Sequence, residues 1–130
     1  MLQLKTKNIA LNPVGRAVAK KKLHSAMLDA RIHILMLDEG ADAIDILMPI
    51  KDGIYVMARS YELLNKTDSV EFRKLKSAMR ILEECSANRF IWRQSYAITM
   101  NNAIELCVTE WSKIPPHTFH LAIVDVLGTM

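Results

Sequence analysis

The side chains best suited to catalysis form two pairs, each at a spacing that a helix would bring together. Asp29 and His33 are four residues apart, so a helix would place a carboxylate beside an imidazole, as general-base catalysis or metal binding requires. His117 and His120 are three residues apart and would supply half of a zinc site. Both pairs lack further ligands at zinc-like spacing, and both are ordinary on a helix surface or in a polar loop. We predict no catalytic residue, no metal and no cofactor.

The sequence contains none of the common catalytic or cofactor-binding motifs that would support a role for these pairs. The chain lacks the P-loop, the dinucleotide-binding glycine pattern, the HExxH zinc motif, paired CxxC cysteines, the GxSxG nucleophile motif and the EF-hand loop. Catalysis needs several polar groups that converge on a rigid frame, and this sequence offers few candidates. We therefore predict that the chain is not an enzyme.

Charged residues are distributed unevenly along the chain. The first 31 residues have a net charge of +6, although the whole chain has only +3. The basic segment consists of Arg16, Lys20, Lys21, Lys22 and His24. Such a segment can neutralise phosphates, and it predicts, as the alternative function, a nucleic-acid-associated regulatory protein whose affinity falls with salt. The acidic segment follows and consists of Asp38, Glu39, Asp42 and Asp45.

Aromatic residues in the middle of the chain are candidates for contacts with a partner protein. Trp and Tyr anchor many interfaces because each buries a large apolar surface and keeps one polar atom. Trp92 lies off the main apolar row of its predicted helix, which makes it the preferred anchor. The predicted partner-binding residues are Phe90, Trp92, Arg93 and Tyr55.

Helix signals place these residues on secondary structure. Asn12 and Pro13 predict the start of a first helix, and Gly40 predicts its end after Glu39. Apolar residues at intervals of three and four form one face of this helix, namely Leu23, Met27, Ala30, Ile34 and Leu37. A second apolar row consists of Leu28, Ile32 and Leu35. The second row predicts that the C-terminal half of the helix is covered on more than one side.

The segment from Asp42 to Asn65 is ambiguous. Its apolar residues step by three and four, as in a helix that Asp42 would cap and Asn65 would end. Pro49 and the Asp52-Gly53 pair instead favour a β-hairpin, with Ile44–Ile50 and Ile54–Ala58 as strands around a Lys51-Asp52-Gly53 turn. Apolar and polar residues alternate poorly on either side of this turn. The pattern therefore favours a helix that is kinked or broken near Pro49–Gly53.

Two further helices and a tail complete the fold. Asp68 and Glu71 predict a capping box at the start of the third helix. The fourth helix is predicted from about Arg89 to Lys113, and the tail from Pro116 as a short helix rather than a strand. The predicted fold class is all-α. Residues 1–130 form a single helical domain, a bundle of four main helices with a short C-terminal helix, and residues 1–11 form an extended or flexible arm.

Composition suits a soluble domain. Of the 130 residues, 51% are apolar, which is enough for one core. No stretch has the length and apolar character of a membrane span, and the N-terminus has no apolar block of the kind found in secretory signals. Two cysteines are too few for the disulfide framework of a secreted domain. We expect a cytoplasmic protein that does not bind membranes.

The function is predicted from an excess of apolar helix positions, especially Ile32–Leu37 and Ile44–Met48, combined with the missing catalytic motifs. These features favour a non-enzymatic protein-binding module, a small regulator or inhibitor that occupies a surface of its partner. The same surface would let the chain self-associate, most simply as a dimer.

Overall fold

The computed structural model describes residues 13–128, and for residues 13–17 and 19, which include Arg16, it describes the backbone alone. Within this range the chain forms five α-helices and no β-strand, which confirms the all-α prediction. The helices are α1 (Pro13–His33), α2 (Ile44–Leu63), α3 (Val70–Ala87), α4 (Ala97–Glu110) and α5 (Pro116–Leu127). Short 3-10 turns follow α1 (Ile34–Met36), precede α4 (Gln94–Tyr96) and follow α4 (Trp111–Lys113). The predicted arm over residues 1–11 lies outside the described residues.

α1 ends earlier than the sequence predicts. The α-helix stops at His33, one 3-10 turn follows, and the backbone is extended at Leu37, so the predicted end after Glu39 is wrong. Gly40 lies in the loop to α2 with a φ of +82°, which glycine adopts without steric strain. The first apolar row is buried as predicted, at Leu23, Met27, Ala30, Ile34 and Leu37.

α2 is one continuous helix, so the predicted break near Pro49–Gly53 and the hairpin alternative are both wrong. Pro49 lies in the second turn, where its ring removes one main-chain hydrogen bond, the bond to the carbonyl of Asp45. Both residues are exposed, and the loss is confined to the solvent side of the helix. Tertiary packing of the opposite face outweighs this local cost.

Gly53 packs closely against α1 at the point where the sequence of α2 resembles a turn. Gly53 is buried, and a Cβ atom placed on it would lie 2.5 Å from Cε of Met27 in α1. Met27 is itself fully buried. The glycine therefore serves the close approach of two helices rather than a turn.

The end of α2 at Asn65 agrees with the sequence prediction, but its N-cap is Ala43, without a side-chain cap bond, and not Asp42. Oδ1 of Asp42 accepts a hydrogen bond from the main-chain N–H of Ile44 at 3.1 Å. Asn65 follows the helix in the left-handed conformation with a φ of 58°. The N–H of Lys66 donates to the carbonyl of Tyr61 at 2.9 Å, which is the Schellman arrangement that ends many helices.

The starts of α3 and α4 differ from the predictions. Ser69, and not Asp68, caps α3, because Oγ of Ser69 accepts the N–H of Phe72 at 3.1 Å. α4 begins at Ala97 rather than at Arg89. The short C-terminal helix predicted from Pro116 is confirmed as α5.

α2 is the central helix, and it contacts each of the other four. Nine of its 20 residues are buried, which is consistent with contacts on several sides. One of the nine is Ser60, whose hydroxyl donates to the carbonyl of Val56 at 2.9 Å and so keeps a hydrogen bond inside the core. An ion pair between Arg59 and Asp125, at 2.8 Å, links the surface of α2 to α5.

Replacing Gly53 with Val should lower the free energy of unfolding by about 1–3 kcal/mol, because the added methyl groups need the space that Met27 fills. Urea unfolding measures the change. Met48→Val, at an exposed position of the same helix, is the matched control and should cost less than about 1 kcal/mol. Equal losses in the two variants would contradict a packing role for Gly53.

Candidate functional site

Main-chain hydrogen bonds join the loop after α1 to the segment before α4. The N–H of Gly40 donates to the carbonyl of Trp92 at 2.8 Å, and the N–H of Trp92 donates to the carbonyl of Ala41 at 2.8 Å. The N–H of Ala43 donates to the carbonyl of Phe90 at 2.9 Å. We call residues 40–43 and 90–92 the end clasp. It fixes the end of the bundle at which α1 stops and α2 and α4 begin.

Trp92 is the buried centre of the end clasp. Its side chain is 0% exposed and meets the ring of Tyr96 edge-on, with 5.7 Å between the ring centroids. Nε1 of Trp92 is also buried and has no hydrogen-bond partner among the residues that the structure describes. Trp92 precedes the 3-10 turn instead of opening the fourth helix, so its predicted position is wrong. Because the core of the chain covers the indole, Trp92 presents no surface to a partner.

The other three predicted partner-binding residues lie nearer the surface. Phe90 is half-buried at the end clasp, and the exposed guanidinium of Arg93 lies 4.0 Å from the carboxylate of Glu39. Tyr55 lines a separate cleft of about 260 Å³ between α2 and α3, where its hydroxyl donates to Glu83 at 3.5 Å. The structure therefore places Phe90 and Arg93 at one end of the bundle and Tyr55 in a different cleft.

A strained turn leads into the end clasp. Arg89 and Phe90 have φ angles of 60° and 58°, in the left-handed region that costs an L side chain about 1–2 kcal/mol per residue. The N–H of Phe90 donates to the carbonyl of Cys85 at 2.7 Å and closes α3 in a Schellman arrangement. The clasp hydrogen bonds that follow stabilise this costly backbone conformation.

Replacing Arg89 with Gly should raise the free energy of unfolding by about 1 kcal/mol, because glycine adopts this backbone conformation without a clash at Cβ. The matched control is Arg80→Gly in the exposed middle of α3, which should lower the free energy of unfolding by about 1 kcal/mol. Thermal unfolding followed by circular dichroism measures both changes. A loss of stability in both variants would contradict the strain assigned to Arg89.

The basic segment of α1 divides between aromatic contacts and solvent. Nζ of Lys20 lies 5.2 Å from the ring centroid of Phe119. The ring of His24 stacks on Trp111 with 5.9 Å between centroids. Lys20 and His24 are half-buried by these contacts, and Lys21 and Lys22 are exposed. Among the described side chains of the segment, the exposed ones available to a phosphate are therefore Lys21 and Lys22.

The predicted polar pairs do not form part of a metal-binding cluster in the described part of the chain. Asp29 and His33 are exposed at a groove of about 270 Å³ between α1 and α2, which Asp45 also lines. His117 is exposed and His120 is buried in the first turns of α5. Within residues 13–128 no three His, Cys, Asp or Glu side chains lie close enough together to hold a metal ion.

Burial keeps both cysteines and one core tyrosine protonated. Cys85 and Cys107 are free thiols in the core. Burial raises the pKa of Cys107 to about 12 and also raises the pKa of Cys85. Since the thiolate is the nucleophilic form, neither cysteine is activated for catalysis. Burial, and then the charges of Glu110 and Glu71, raise the pKa of Tyr61 to about 12.

These raised pKa values predict a loss of stability in alkaline solution. A folded-state pKa above the unfolded value gives stability that is complete below the unfolded pKa, 9.0 for Cys107 and 10.0 for Tyr61. This stability is lost as the pH rises towards about 12, the pKa of both groups in the folded state. We expect the urea midpoint to fall over this range, and to fall less in Tyr61→Phe. A urea midpoint that does not change over this pH range would contradict the raised pKa values.

The four most exposed large apolar side chains of the described residues lie at the end of α1 and the start of α4, at one end of the bundle. Ile32, Leu35, Met36 and Ile98 are 65%, 68%, 72% and 76% exposed. The first three share one side of the chain because they are three and four residues apart. The turn Ile34–Met36 contacts α4, of which Ile98 is the second residue. We call these four residues the apolar patch.

The sequence contains a signal for part of this patch. Ile32 and Leu35 belong to the second apolar row, which predicts a helix covered on two sides. In the structure both residues face solvent, so that prediction is wrong for the chain taken alone. Ile98 lies two positions from both Tyr96 and Met100, which are buried, and the helical period places it on the outer face.

Comparison of the chain with protein-family models, with curated proteins and with solved structures gives no match. No helix within residues 13–128 is both long enough and apolar enough to cross a bilayer.

Proposed function

We propose that the chain is a non-enzymatic protein-binding module that acts through the apolar patch. The observation that supports this function is the grouping of Ile32, Leu35, Met36 and Ile98, which are the most exposed large apolar side chains described. Each Å² of apolar surface removed from water stabilises a complex by about 25 cal/mol. Exposed apolar clusters often mark interaction sites for this reason. Met36 suits the role because a flexible thioether side chain adapts to the shape of a partner.

Two hydrogen bonds from Gln94 hold the chain that follows the apolar patch. Nε2 of Gln94 donates to the carbonyl of Leu37 at 2.7 Å, and the N–H of Gln94 donates to Oε1 of Glu39 at 2.8 Å. These bonds tie the chain directly after Met36 to the segment that leads into α4. A surface that is already ordered loses little conformational entropy when it binds, so more of the apolar contact contributes to affinity.

The chemistry around the patch indicates the kind of partner. Asp38, Glu39 and Asp42 are exposed in the loop that follows the patch. A complementary partner would have an apolar centre and a basic rim, because opposite charges at a rim steer association and select orientation. The module would act as a regulator or inhibitor by covering that surface of its partner. A second copy of the chain is one such partner.

Affinity capture with the tagged full chain tests this function. The double variant Ile32→Asp/Leu35→Asp should lose the proteins that the wild type captures, since it places two charges in the centre of the patch. Mass spectrometry measures the bound proteins. Each protein that the wild type captures specifically should decrease at least tenfold in the double variant. The variant should keep the wild-type circular dichroism because both positions are exposed.

The matched control is Val70→Asp, a large apolar residue that is 53% exposed at the first position of α3. It should capture the same proteins as the wild type. If the double variant and the control capture the same set, the patch does not bind these proteins. If the wild type captures none and also forms no complex with itself, the proposed function is wrong.

A further inference from the structure

α1 and α2 leave a groove between them, beside the apolar patch. Its volume is about 270 Å³. Four of the lining residues are apolar and form its floor, and the others are two exposed aspartates and one exposed histidine. We call this set the acidic groove; it consists of Ala26, Asp29, Ala30 and His33 of α1 and Asp45, Ile46 and Pro49 of α2.

The two carboxylates of the acidic groove have no counter-charge within residues 13–128. Neither Asp29 nor Asp45 forms an ion pair or a side-chain hydrogen bond with another described residue. Asp45 lies in the first turn of α2, where the helix dipole favours a carboxylate. Asp29 lies towards the end of α1, where the helix dipole gives it no such support. The groove therefore holds two like charges, an arrangement that a cation would improve.

Exposed apolar side chains flank both carboxylates. Ile32 follows Asp29 by three positions, and Met48 follows Asp45 by three positions, so each lies on the same side of its helix as the aspartate. Ile32 is 65% exposed and Met48 is 44% exposed. Ile32 also belongs to the apolar patch, which makes the acidic groove continuous with that surface. The combined surface is apolar, then anionic, then apolar.

We propose that the acidic groove binds an arginine of a partner protein, in a segment where apolar side chains flank that arginine. The proposal rests on the proposed function, because it names the residue that anchors a partner beside the apolar patch. The guanidinium lies between Asp29 and Asp45 and donates hydrogen bonds to both. Its methylene stem covers the apolar floor, and the neighbouring apolar side chains cover Ile32 and Met48.

The size and spacing of the groove select arginine. No three His, Cys, Asp or Glu side chains of residues 13–128 lie close enough together to hold a metal ion. A guanidinium has five N–H donors in one plane, so it can bond two carboxylates that are too far apart to share a metal ion. The volume is below the range of about 300–1,000 Å³ typical of sites for drug-sized ligands, and it suits one side chain.

Charges outside the groove also favour a cationic occupant. Asp38 and Asp42 are exposed in the loop that joins α1 to α2, and their field attracts a basic segment. Lys22 is exposed on α1 seven residues before Asp29, which is about 10 Å along the helix at 1.5 Å per residue. Salt largely screens this lysine, because the Debye length is about 8 Å at physiological ionic strength.

Titration of the ¹⁵N-labelled full chain with the peptide acetyl-Leu-Arg-Leu-amide tests the site by NMR. The peptide should shift the main-chain amide signals of Asp29, Ala30 and Ile46, with a dissociation constant of about 1 mM. The same peptide with citrulline, which has the shape of arginine without its charge, should bind at least about tenfold more weakly. Added salt should weaken the arginine peptide, because both carboxylates are exposed.

Two variants of similar shape test the carboxylates. Asp29→Asn and Asp45→Asn should each weaken the arginine peptide about tenfold, because each removes one charge-assisted hydrogen bond. Asp29→Asn should not lower the midpoint of thermal unfolding, since this carboxylate has no described partner to lose. Asp68→Asn makes the same change of charge at an exposed position outside the groove and should keep the wild-type affinity.

The possible results support or overturn the arginine site. Binding that Asp29→Asn and Asp45→Asn weaken, and that Asp68→Asn does not, supports the acidic groove. The inference is overturned if the amide signals do not shift at about 10 mM peptide, or if the citrulline peptide binds equally well. It is also overturned if sedimentation finds a dimer that Asp29→Asn disrupts, since a second copy would then occupy the groove.

Affinity capture separates this inference from the proposed function. If Asp29→Asn/Asp45→Asn keeps the captured proteins and Ile32→Asp/Leu35→Asp loses them, the proposed function stands and the arginine anchor is wrong. If the arginine peptide binds the groove but Ile32→Asp/Leu35→Asp captures the same proteins as the wild type, the proposed function fails. The acidic groove is then a separate arginine site.

Discussion

The close contact between α1 and α2 at Gly53 is the constraint on which the rest of this structure depends. Because Gly53 has no side chain, Met27 is buried against α2, and with the rest of the buried row, Leu23, Ala30, Ile34 and Leu37, it sets which face of α1 meets the core. Ile32, five residues later, is then turned by about 140° from Met27 at 3.6 residues per turn. Ile32 faces solvent for this reason. α2 also contacts the other three helices, so the packing of α1 and α2 is part of the same core.

The end clasp fixes the position of the loop that follows α1 relative to the segment that precedes α4. It orders the loop that follows the apolar patch and buries Trp92 beneath it, at the cost of two left-handed residues, Arg89 and Phe90. Without these hydrogen bonds the chain after Met36 would have no fixed direction relative to α4. The apolar patch and the acidic segment are therefore adjacent because of contacts between parts of the chain that are distant in sequence.

The difference between local features and contacts that are distant in sequence explains which parts of the structure the sequence could predict. Periodicity and end signals identified the helices and the end of α2 at Asn65, and they missed its N-cap by one residue, because those features depend on neighbouring residues. They failed at Gly53, where burial against α1 outweighs a local preference for a turn. They also failed at Trp92, whose conformation depends on hydrogen bonds to residues 40 and 41. A helical period shows that a face is apolar, but it does not show whether the same chain covers that face.

The proposed function limits how the apolar patch would be used. If a second copy and other proteins bind the same patch, self-association competes with every other partner. The patch would be covered in the dimer and available in the monomer, so a partner could bind only by displacing the second copy. The exposed carboxylates beside the patch, Asp38, Glu39 and Asp42, would then matter for selectivity. A partner that matched the apolar centre without a basic rim would leave these charges unpaired, and would bind less well than a partner that has one.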